Sequence, residues 1–231
     1  MHNIEMNLVT RILLVIGFSL HGFVPFGLFH SSAFAQANST QVKKPSQVLI
    51  LGDSLSAEYG LPRNSGWVQL LQNELKKQAS AVKINNASIS GETTSGGLSR
   101  LPALLNQKPD LVIIELGAND GLRGLPIEQI EQNLRNMIQQ SKKSGAQVLL
   151  LGMRIPTNYG PEYTQQFYKL FQTVAQSEQI ALLPFFLDGI AAKPEYFQAD
   201  RIHPNVDAQA ILFKNVLRAL EPFKSTLGLK N

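Results

Sequence analysis

Ser54, Asp200 and His203 supply the side chains that acyl transfer needs: a hydroxyl nucleophile, an orienting carboxylate and an imidazole base. Histidine is scarce enough to decide the base. The chain has four, His2, His21, His30 and His203, and the first three fall inside an expected export signal spanning residues 1–35. With that segment removed one imidazole is left, so a base titrating near neutrality must be His203 and a multi-histidine metal site has no ligands. Asp200 stands three residues earlier, in Asp200-Arg201-Ile202-His203-Pro204. One loop can then set the carboxylate on one ring nitrogen while Ser54 meets the other, and Pro204 stiffens the exit. On this reading activity needs no added metal.

Each of these residues also has a plainer role. A serine after a strand is commonly a helix cap, Asn119 can close its turn by an Asx bond, and Gly91 can be present for its permitted backbone angles. Asp200 suits a turn or a cap. The combination points to chemistry, because the required types all sit in polar turns that a single sheet would gather. Those turns are Gly52-Asp53-Ser54-Leu55-Ser56, Asn85 to Thr93, and Gly117-Ala118-Asn119-Asp120-Gly121. Asp53 and Asp120 are expected to hold their own turns by local hydrogen bonds, outside the catalytic set.

Short apolar runs precede the turns. Val48–Leu51, Val82–Ile84, Leu111–Leu116, Val148–Leu151 and Ile180–Leu183 are each too short for a core helix and are bounded by Gly, Pro, Asn or Asp, so they predict strands buried on both faces. Between them lie helical patterns: a stripe of Ile127, Ile130, Leu134, Met137 and Ile138; another of Ala208, Leu212, Val216 and Leu220; and the segments Trp67 to Lys77 and Pro161 to Ser177. Alternating strands and helices predict an α/β domain with a mostly parallel sheet covered on both sides. Sites on such sheets form beyond the carboxyl ends of the strands, where the polar turns lie.

The chain has 231 residues, of which 44% are apolar and 16% charged, a balance that suits one compact domain, expected over residues 47–231. Arg11, the apolar run Ile12 to Phe29 and Ala33-Phe34-Ala35 form an export signal cleaved near Ala35. An uncleaved anchor is the alternative, but Gly17, Gly22, Pro25 and Gly27 interrupt the run. Residues 36–46 read as a flexible lead-in. Export places the protein in a periplasm or outside the cell. The absence of cysteine excludes a disulfide framework and a thiolate zinc site. The net charge of +4 is spread over pairs such as Lys43-Lys44 and Lys142-Lys143, which argues against a nucleic-acid partner and leaves only a weak attraction to anionic lipid. The run Gly91 to Gly97 lacks the lysine of a phosphate-binding loop, and no cofactor is expected.

Gly52-Asp53-Ser54-Leu55-Ser56, Gly91, Gly117-Ala118-Asn119-Asp120 and Asp200-Arg201-Ile202-His203-Pro204, in that order, resemble the hallmark blocks of the SGNH hydrolase superfamily, also called the GDSL family. The similarity runs from Val48 to the last helix. It implies a flavodoxin-like three-layer αβα sandwich with five parallel strands in the order 2-1-3-4-5. It also implies Ser54 as nucleophile with Asp200 and His203, and an oxyanion hole from the backbone amides of Ser54 and Gly91 with the Asn119 side chain. Further matching stretches, among them Arg100 to Leu105 and Pro156 to Gly160, point to members that hydrolyse fatty acyl esters, acyl thioesters, lysophospholipids and aryl esters. Ser56 replaces the second glycine of the Gly-x-Ser-x-Gly elbow, so the α/β-hydrolase fold is not implied.

Leu122, Met153, Ile155, Pro156 and Tyr159 are expected to line an apolar groove for an acyl chain, or else to pack against the scaffold. The expected partner is thus a small acyl ester or thioester; oligomeric state is not legible. A carbohydrate acetylesterase of the same superfamily and a non-catalytic binding module on this scaffold are the competing readings.

Overall fold

Five apolar runs become five strands because each is flanked by turn formers and has no polar face to leave in water. The computed structural model describes residues 44–78 and 81–229, within the unit Val42–Asn231. The expected signal, residues 1–35, lies outside them. The strands are β1 (Ser46–Gly52), β2 (Val82–Asn86), β3 (Leu111–Glu115), β4 (Gln147–Leu151) and β5 (Ala181–Leu183). All pair in parallel, in the order β2-β1-β3-β4-β5. Ser46, read from sequence as the end of the lead-in, is the first residue of β1.

The expectation that every strand is buried on both faces holds for β3 and nearly so for β1 and β4, and fails at the edges. In β2 only Val82 is fully buried, and all three residues of β5 are half-buried. Each edge strand has a neighbour on one side only, so helices cannot enclose it as they do the centre.

Seven helices follow: α1 (Trp67–Lys77), α2 (Thr94–Leu105), α3 (Ala118–Leu122), α4 (Ile127–Lys143), α5 (Pro161–Ser177), α6 (Gln209–Ala219) and α7 (Lys224–Leu227). α4 packs between α2 and α5 in one layer, while α1 packs on α6 in the other, giving the three-layer sandwich. Their apolar stripes close two halves of one core. Trp67 meets Phe186 edge-on at 5.6 Å, and Phe167 meets Phe171 at 5.3 Å. At the amino end of β1, the Ser46 hydroxyl donates to the Thr226 carbonyl at 2.9 Å and ties α7 to the sheet.

α2 had no counterpart in the sequence reading. Gly96, Gly97 and Pro102 break its helical pattern, and it is fixed from outside. The Thr93 hydroxyl caps it by accepting the Gly96 N–H at 3.3 Å. Asp120, buried at the start of α3, accepts the Thr94 N–H at 2.9 Å and the Thr94 hydroxyl at 2.5 Å. Asp120 is therefore a bridge between two loops rather than the local turn-holder expected.

Candidate active site

β1 ends at Gly52 and the chain turns at once, with the Asp53 carbonyl accepting the N–H groups of Ser56 and Ala57 at 3.2 and 3.0 Å. The turn raises Ser54 above the sheet edge. Its Oγ lies 2.9 Å from His203 Nε2, and His203 Nδ1 lies 2.7 Å from Asp200 Oδ2. Residues 149 positions apart in sequence thus stand in one hydrogen-bonded line.

The loop that delivers His203 is held shut in three ways. Phe197 and Pro204 form an antiparallel bridge, the Gln198 N–H donates to the His203 carbonyl at 2.8 Å, and Asp200 Oδ1 accepts the N–H groups of Ile202 and His203 at 2.9 and 3.0 Å. Arg201 takes a left-handed φ of 59° to make this possible. The His203 N–H, helped by the Ile202 N–H and the imidazole, holds Asp200 as a carboxylate, down to about 2 from an ordinary 3.8, against the opposing pull of burial. With the anion on Nδ1–H, Nε2 is the nitrogen left to accept the serine proton. The Tyr59 ring lies against the imidazole, 4.4 Å between centroids.

β2 and β3 bring the expected oxyanion donors to the same edge. The Ile89 N–H donates to the Gly52 carbonyl at 3.0 Å and pins the β2 loop beside the serine turn. Gly91 takes φ +79°, a conformation that favours glycine. The backbone N–H groups of Ser54 and Gly91 donate to no acceptor among the described residues. Asn119 differs. Its Nδ2 donates to Asp53 Oδ2 at 3.0 Å and to the Glu92 carbonyl at 2.9 Å, so both hydrogens are engaged.

Below the serine lies a carboxyl pair that sequence reasoning missed. Glu115, the last residue of β3, is 1% exposed, and its Oε2 accepts the Ser56 hydroxyl at 2.7 Å and the Asp53 N–H at 3.2 Å. Gly52 lets it approach, since a Cβ there would stand 2.8 Å from that oxygen. Burial, then the Asp53 charge, pushes Glu115 well above the carboxylate range. Burial also raises Asp53 to about 6, opposed by the Leu55 N–H, Glu115, His203 and Asn119. Asp53 is thus more than the local turn-holder expected from sequence: it links the serine turn to Asn119. The one available signal was a glutamate closing an otherwise apolar strand.

The five residues expected to line a groove separate. Met153 and Ile155 are 3% and 8% exposed and belong to the core. Ile155 packs against Gly121, where a Cβ would lie 2.8 Å from its Cγ2, so these two serve the scaffold rather than a groove. Leu122 is half-buried, whereas Pro156 and Tyr159 are exposed, with the Tyr159 hydroxyl donating to the Leu122 carbonyl at 2.9 Å.

A parallel sheet that places a hydroxyl, an imidazole and a carboxylate in line at its switch point is built as a hydrolase of acyl esters. Residues 50–211 match the model of the GDSL-like Lipase/Acylhydrolase family, and the chain belongs to that family. It is 47% identical over 196 residues to the Esterase TesA of Pseudomonas aeruginosa, an alignment covering 84% of this chain and 98% of that protein. Over 176 residues it is 44% identical to the Thioesterase 1/protease 1/lysophospholipase L1 of Escherichia coli strain K12, covering 76% and 83%. The crystal structure of TesA superposes with a TM-score of 0.75 at 49% identity, over 77% of this chain and 99% of that one.

Proposed function

We propose that Ser54 is the nucleophile of an exported esterase and thioesterase that works through an acyl-enzyme. The observation that carries this is the line from Ser54 Oγ through His203 to Asp200, beside two backbone N–H groups with no acceptor among the described residues. As Oγ attacks the acyl carbonyl, its proton passes to His203 Nε2 and the carbonyl oxygen becomes an oxyanion facing the Ser54 and Gly91 amides. Asn119 joins them by turning one Nδ2 hydrogen from the Glu92 carbonyl towards the oxyanion. His203 then gives its proton to the departing alcohol or thiol as the tetrahedral carbon collapses. Water enters, loses a proton to Nε2, and releases the acid from Ser54.

Fatty acyl esters, lysophospholipids, aryl esters and acyl thioesters are the proposed substrates. The similarity to a relative named for thioesterase and lysophospholipase activity supports this, as does the exposed apolar flank of Pro156 and Tyr159. The signal pattern of residues 1–35 supports export, where lysophospholipids and exogenous esters are the accessible targets. The test is a turnover panel of acyl esters, thioesters and lysophospholipids graded by chain length, run beside Ser54→Ala. Hydrolysis across these classes that vanishes in the variant is expected; turnover restricted to acetylated sugars would overturn the substrate reading.

A further inference from the structure

The large apolar side chains exposed among the described residues are Tyr59, Ile89, Tyr159, Ile202 and Val206. All five stand at the carboxyl edge of the sheet, around Ser54. Tyr59 lies on the His203 ring, and Ile89 is pinned by its N–H to Gly52, two residues before the serine. Ile202 sits between Asp200 and His203, with its N–H on the Asp200 carboxylate. Val206 follows three residues after His203, and its carbonyl accepts the Gln209 N–H at the start of α6. Tyr159 is tied through its hydroxyl to Leu122, on the short helix that carries Asn119. The loops are those after β1, β2, β4 and β5. Elsewhere the described surface exposes no such side chain, so the concentration at one edge marks an interaction surface.

We infer that this ring docks the enzyme onto a phospholipid surface, with the five side chains entering the boundary between headgroups and acyl chains. One acyl chain leaves Ser54 in one direction and would cover one or two of the five. A second copy of the chain would stopper the opening the substrate must use. A lipid surface covers the whole ring and supplies the ester in the same act. Arg201, exposed beside Ile202, and Arg123, exposed at the end of α3 with its guanidinium donating to the Gly91 carbonyl at 3.0 Å, make no ion pair among the described residues and can face lipid phosphates. The inference rests on Ser54 as nucleophile, because only then does the ring encircle the point of substrate entry.

Val206→Trp tests it in the full chain. Trp67 is the one native tryptophan and is fully buried, so a response to lipid reports position 206 whatever the amino-terminal segment does. With vesicles of phosphatidylcholine and phosphatidylglycerol the emission is expected to shift to the blue and to be quenched by brominated acyl chains. Ile89→Ser combined with Val206→Ser should keep hydrolysis of a soluble short-chain ester within about twofold. It should slow hydrolysis of lysophosphatidylcholine in vesicles by about tenfold, as for two half-exposed aliphatic side chains withdrawn from an apolar contact. No blue shift, an equal fall on both substrates, or a shift produced by raising protein concentration without lipid would each overturn the inference. Ser54→Ala is run alongside: soluble-ester hydrolysis that survives it defeats the nucleophile reading, whether or not position 206 enters lipid.

Discussion

Four side chains around Ser54, the proposed nucleophile, carry separable tasks. Asn119→Ala removes a proposed oxyanion donor and also leaves Asp53 Oδ2 and the Glu92 carbonyl without their amide, so turnover should fall by about 10²–10³. Glu115→Gln keeps an acceptor for the Ser56 hydroxyl and needs no charge, so it should stay folded and active; Glu115→Ala should lower stability by about 2–4 kcal/mol in denaturant titration. Asp53 gives a pH signature. Its folded value, about 6, lies above the ordinary 3.8, so protonation favours the fold, and its contribution is complete below about pH 4 and lost as pH rises through 6. Asp53→Asn should remove that part of the decline in melting temperature between pH 4 and 7. Asp200 has the opposite sign: its contribution is present above about pH 4 and lost as pH falls towards 2. The hydrogen-bonded line of Ser54, His203 and Asp200 was legible as a juxtaposition because the motifs are local and the histidine count left one imidazole; its catalytic role is the proposal. Glu115 was not, since nothing in its neighbourhood in sequence says that the folded sheet will seal it beneath the serine turn.

The loops and helices that hold these residues were legible where a periodic stripe was unbroken. α1 and α5 have the bounds their patterns predict, whereas α2 was hidden by two glycines and a proline and exists because Thr94 is held by Asp120 on another loop. Asp120→Ala leaves the Thr94 N–H and hydroxyl without that buried acceptor and should cost about 2–4 kcal/mol. Met153 and Ile155 were left open between groove and scaffold for a different reason: an apolar residue in a loop reads the same whether it faces a ligand or the core, and only the folded burial of both, with Ile155 packed on Gly121, decides. The loop from Asp200 to His203 has its own test at Arg201. Its left-handed backbone is unfavourable for a β-branched residue, so Arg201→Val should destabilise by about 1–2 kcal/mol while Arg201→Gly is neutral or stabilising, read from denaturant midpoints of both variants.

At the scale of the molecule, the order β2-β1-β3 brings the turns that carry Gly91, Ser54 and Asn119 to one edge. β1 lies beside both β2 and β3, so the serine turn is flanked by the loops that carry Gly91 and Asn119. The opposite end depends on α7 and the turn before it, where Leu227 and Phe223 are buried and the Thr226 carbonyl accepts from the Ser46 hydroxyl. Deleting residues 221–231 removes those two side chains and uncovers the apolar surface they pack on, and should cost about 3–6 kcal/mol, a fall in melting temperature of roughly 10–20 °C. The whole design converges on one hydroxyl, and a fluorophosphonate reports on it most directly. Peptide mapping by mass spectrometry after labelling should place a single adduct on Ser54, with loss of ester hydrolysis in proportion to labelling. An adduct elsewhere, or full hydrolysis persisting after Ser54 is labelled, would contradict the account.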